Sequence, residues 1–60
     1  MNYKQAQAIY HTLKGMTGKA ELVSEDAIRN DLGDHTFEAL RHHGFIEYCA
    51  TLQGTRMYAI

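Results

Sequence analysis

The sequence predicts a small, mainly α-helical domain closed by a β-hairpin at its C-terminal end. Three observations carry this expectation. Apolar residues recur at spacings of three and four through the N-terminal two thirds, glycines at 33 and 44 interrupt that pattern at helix-length intervals, and from Phe45 onward the runs become β-type and turn at Gly54. Sixty residues, 45% of them hydrophobic, suffice for one core and hence one domain, residues 1–60. Proline is absent and the five glycines leave no linker, which excludes a multidomain arrangement.

The first helix is expected over about residues 3–16. Tyr3, Ala6, Ile9 or Tyr10, Leu13 and Met16 keep one face apolar, while Lys4, Gln5, Gln7, His11, Thr12 and Lys14 fall mostly on the other. Gly15, with Thr17-Gly18, is expected to stop it through lost helix propensity. Lys19 to Val23 alternates polar and apolar residues, as a brief strand or an extended connection would. Ser24 is the expected N-cap of a second helix at about 25–31, with Glu25 and Asp26 against the positive end of the helix dipole and Val23 placed to staple onto Ile28. Ala27, Ile28 and Leu32 are expected toward the core, and Gly33 ends the helix.

A third helix is expected at about 35–43, capped by Asp34 or His35, with Phe37 and Leu40 buried and Thr36, Glu38, Ala39, Arg41 and His42 more exposed. Gly44 closes it in a Schellman-type ending, in which the following Phe45 packs back on Leu40. Phe45 to Thr51 and Thr55 to Ile60 then read as two strands turned through Leu52-Gln53-Gly54, a hairpin at about 45–60. An isolated hairpin is not stable in water, so Ile46, Tyr48, Tyr58 and Ile60 are expected to anchor it on the helices.

Three helices, a tight Gly33-Asp34 turn and a closing hairpin resemble the winged helix-turn-helix family of DNA-binding domains over nearly the whole chain. Leu40-Arg41-His42-His43-Gly44-Phe45-Ile46-Glu47-Tyr48 is similar to that family's recognition-helix end and first wing strand, and Gly54-Thr55-Arg56-Met57-Tyr58-Ala59-Ile60 to its second wing strand. The resemblance implies a third helix entering the major groove of double-stranded DNA beside a wing that touches the neighbouring backbone. It assigns the groove-facing work to His35, Thr36, Glu38, Ala39, Arg41 and His42, a wing-tip cation to Arg56, and one phosphate contact to Lys19.

Charge and motif content bound the chemistry. Six basic against seven acidic residues give a formal net charge of −1, so a large phosphate-neutralising term is absent and affinity from one module is expected to be weak. Adjacent helical histidines such as His42 and His43 point about 100° apart and do not suit one metal ion. Gly15-Met16-Thr17-Gly18-Lys19 lacks the spacing of a phosphate loop, and Cys49 has no oxyanion element near it in sequence. The aromatic residues coincide with the apolar phase of each element, which reads as core more than as a stacking surface for single strands. With no disulfide partner for Cys49, no membrane span and no signal sequence, a cytoplasmic protein is expected. The expected function is non-catalytic binding of double-stranded DNA by a transcriptional regulator or accessory factor, with no cofactor, metal or small-molecule substrate. The rival expectation is a module of the same fold that binds or inhibits another protein, or pairs with a second copy.

Overall fold

The computed structural model describes residues 1–60. Helix α1 spans Tyr3–Thr17, strand β1 Leu22–Ser24, helix α2 Glu25–Leu32, helix α3 Asp34–His42, strand β2 Glu47–Leu52 and strand β3 Thr55–Ala59. The strands form one antiparallel sheet in the order β1-β3-β2. This is the three-helix winged-helix arrangement, with one addition to the expected hairpin: the short segment after α1 is a strand that pairs with β3, Val23 opposite Tyr58. The third strand relieves the instability of a lone hairpin and ties the wing to the start of α2.

Local chemistry accounts for most boundaries. Asn2 and Gln5 form a reciprocal capping box at α1, each side chain bonding the other's backbone N–H. Gly15 does not stop the helix; its cost is one of propensity alone, and α1 continues until Gly18, at φ 63°, closes it by donating its N–H to the Lys14 carbonyl. Ser24 caps α2 through a bond accepted from the Ala27 N–H. No side chain caps α3, whose N-cap is Gly33; Asp34 and His35 lie inside the helix. At its other end the Gly44 N–H donates to the Arg41 carbonyl and the Phe45 N–H to the Leu40 carbonyl, the bond pair of a Schellman ending, with Gly44 at φ 81°.

Seven residues make the core: Ala6, Leu13, Ile28, Phe37, Leu40, Ile46 and Tyr58, with Ile9, Tyr10, Val23, Leu32, Phe45 and Ile60 packed around them. Phe37 meets Tyr58 edge to face at 5.0 Å, joining α3 to the sheet. Phe45 lies against Tyr10 at 5.2 Å and Tyr3 at 5.1 Å, joining the end of α3 to α1. Ala27 is exposed rather than inward, because a 3.6-residue period groups Ile28 with positions 25 and 32 and turns 27 aside. Met16 and Tyr48 are likewise exposed, although Tyr48 was an expected anchor.

Tyr48 faces Tyr58 but Ala50 faces Met57, so Cys49 is an extra residue, a β-bulge in an otherwise regular ladder. The extra residue breaks the two-residue alternation, placing Tyr48 and Thr51 on one face, where the Tyr48 hydroxyl bonds the Thr51 Oγ1 at 2.8 Å.

Candidate nucleic-acid interface

Helix α3 buries Phe37 and Leu40 and half-buries Thr36 and Ala39, which turn away from the exposed face. The exposed stripe is therefore Asp34, His35, Glu38, Arg41 and His42, two of whose charged residues are acids. Thr36 and Ala39, expected to be more exposed, are half-buried; 100° steps put Thr36 about 40° from Leu40, beside the buried side.

Both acids of the stripe have the same partner. Arg29, near the end of α2, reaches Asp34 Oδ1 through Nη1 at 3.0 Å and Glu38 Oε1 through Nη2 at 2.9 Å, and Glu25 Oε2 through Nε at 3.0 Å. Its guanidinium also lies 4.3 Å from the centroid of the Phe37 ring. These bonds hold Arg29 above its ordinary range, first through Glu25 and then through Asp34, with Glu38 adding to them. On α3 this leaves Arg41 as the one charged side chain without an ionic partner.

Arg56 is not at the wing tip. It is the second residue of β3 and faces the start of α2, where Nη2 donates to Glu25 Oε2 at 2.8 Å. Glu25 is only 6% exposed; burial pushes its carboxyl up, but the hydrogen bonds from Arg56 and Arg29, together with their charges, outweigh that and hold it below its ordinary value. Arg56 is correspondingly raised by the bond to Glu25. Both arginines converge on Oε2, and Oε1 is buried without a hydrogen-bond partner. The turn of the wing, Gln53-Gly54, carries no cation, and both residues have positive φ, 51° and 78°, as a tight two-residue hairpin turn requires.

A solvent-open cleft of about 570 Å³ separates the C-terminal end of α3 from β2 and β3. Arg41 lines it from the helix, Glu47 and Tyr48 from β2, and Arg56 and Tyr58 from β3. The two arginines expected to act at separate places thus share one cleft. His35 lies elsewhere, on a shallow groove against α1 with Met1, Gln5 and Ile9. Lys19 is exposed in the turn between α1 and β1 and makes no ion pair. No group of three or more His, Cys, Asp or Glu converges as a metal site would need, and no helix is long and apolar enough to cross a membrane.

Sequence reasoning passed over Arg29 entirely. The signal that points to it is the Glu25 to Arg29 spacing of four, with the acid N-terminal, a favourable helical ion pair. No family model matches the chain, and neither a curated protein nor a solved structure matches it.

Proposed function

We propose that the protein binds double-stranded DNA without catalysis, as a small regulator or accessory factor, presenting the exposed stripe of α3 to the major groove with the cleft-side arginines against a phosphate strand. The observation that carries this reading is the compensation of α3's acids: Arg29 holds both Asp34 and Glu38, so no carboxylate of α3 itself is left free to oppose a phosphate at Arg41, and Glu47 across the cleft is the one unpaired acid beside it. Width favours a helix in the major groove, and Arg41 can donate two parallel bonds to a guanine edge or to phosphate oxygens. One unpaired arginine supports a modest affinity with a shallow salt dependence.

Titration of a labelled duplex at several salt concentrations tests the reading. Arg41→Ala, an exposed change that leaves the fold intact, is expected to weaken binding and to lower the salt slope by about one if the contact is to phosphate. Wild-type affinity and slope in Arg41→Ala would overturn it. A second reading, a protein-binding module of the same fold, is favoured by one observation: Leu52, at the turn end of β2, is 54% exposed with no cation in the adjoining turn. A protein partner retained from nuclease-treated lysate by the wild type and lost with Leu52→Asp would favour that reading.

A further inference from the structure

The cleft between α3 and the wing has a composition that duplex binding alone does not require. Its volume of about 570 Å³ is within the range of small-ligand sites. Tyr48 stands in it with 51% of its surface exposed, yet the ring is not loose. Its hydroxyl is bonded to Thr51 at 2.8 Å, and its ring meets Tyr58 at 6.0 Å and 75°. The bulge at Cys49 is what keeps Tyr48 and Thr51 on the same side of the strand. A phenol ring fixed at two points but left half in water is a ready stacking platform, since ordering has already been accomplished and apolar area remains to be covered.

The cations beside it are similarly prepared. Arg56 uses Nη2 for Glu25, while 58% of its side chain stays exposed; a guanidinium has five N–H donors, so others remain, and the carboxylate fixes their plane. Arg41 enters from the helix with no ionic partner, and Glu47 is the one carboxylate lining the cleft. At Gly44 no atom lies within 4 Å of where a side chain would begin, so the backbone is open to a ligand there.

We propose that this cleft binds one unpaired nucleotide, its base stacked on Tyr48 and its phosphate bonded by Arg41 and Arg56. The choice of a nucleotide over other aromatic anions rests on the nucleic-acid reading above. The shared chemistry, a planar ring joined to anionic oxygens, is found both in a free nucleoside monophosphate and in an unpaired residue of a DNA strand.

Amide NMR spectra of the folded protein, titrated separately with adenosine monophosphate, a short single-stranded oligonucleotide and a blunt duplex, test the proposal. Either of the first two ligands is expected to shift the resonances of Gly44, Tyr48 and Arg56. Tighter binding of the oligonucleotide identifies the strand as the source, and equal binding identifies the free nucleotide. Tyr48→Leu is expected to weaken binding by about 5- to 150-fold, the range for loss of one base stack, whereas Tyr48→Phe keeps the ring and is expected to retain it. Unshifted resonances with both ligands, or wild-type binding by a folded Tyr48→Leu, overturn the proposal. Duplex binding at wild-type affinity by Tyr48→Leu, with no single-stranded ligand entering the cleft, overturns this inference alone. Nucleotide binding in a protein that ignores the duplex overturns only the duplex reading.

Discussion

Glu25 occupies a helix position that the 3.6-residue period places beside Ile28 and Leu32, and a carboxylate there is tolerated only because two arginines reach it. Its charge stands in the first turn of α2, as the dipole favours, and also links that helix to β3. Gly44 illustrates the opposite case, a residue whose role follows from backbone conformation alone. At φ 81° with open space around it, Gly44→Ala meets no clash but does meet the left-handed penalty of about 1–2 kcal/mol. A lower urea midpoint, equivalent through the denaturant slope to that loss of stability, with the slope itself unchanged, is the expected result; an unchanged midpoint contradicts the Schellman geometry.

Helix α3 depends on both its neighbours. Leu40 is fully buried, and its carbonyl accepts the Phe45 N–H that starts the wing. Leu40→Ala is expected to destabilise the domain by about 2–5 kcal/mol, a large share of the stability of a chain this short, as measured by chemical denaturation. On the outer side, Arg29 connects α2 to α3 while neutralising the acids of α3. Arg29→Met should therefore weaken duplex binding although Arg29 itself is not placed on the DNA, and adding Asp34→Asn with Glu38→Gln should restore it. Failure of the triple variant to recover affinity, with the fold verified by circular dichroism, would remove charge compensation as the reason for the effect.

At the scale of the whole molecule, Glu25 makes stability depend on pH. Glu25 has a folded pKa below its ordinary value of 4.5, so between the two values the unfolded chain binds more protons than the folded one. Its contribution to stability is complete above the ordinary value and is lost as pH falls through the lower folded value. Thermal midpoints followed downward from neutral pH should be level and then drop below about pH 4.5, and Glu25→Gln should flatten that drop.

Much of the fold was determined by short-range chemistry that a sequence carries openly: Ser24 as a cap, the positive-φ glycines at 33, 44 and 54, the Phe37 and Leu40 stripe, and the β-type alternation after Gly44. The end of α1 was legible to within one residue, through Gly18 and not through Gly15, because propensity weights a helix without deciding its end; the bulge at Cys49 has no local signal, since it arises from how β2 and β3 register. The candidate site was less legible than the fold. Arg41 was identified from its place in α3, but whether any arginine is free depends on which carboxylate lies within reach. Glu25 and Arg56 are 31 positions apart, and Arg29 and Glu38 are nine apart. Such pairings become definite only when α2, α3 and β3 pack around one core, and the cleft between Arg41, Tyr48 and Arg56 exists only because that packing leaves it open.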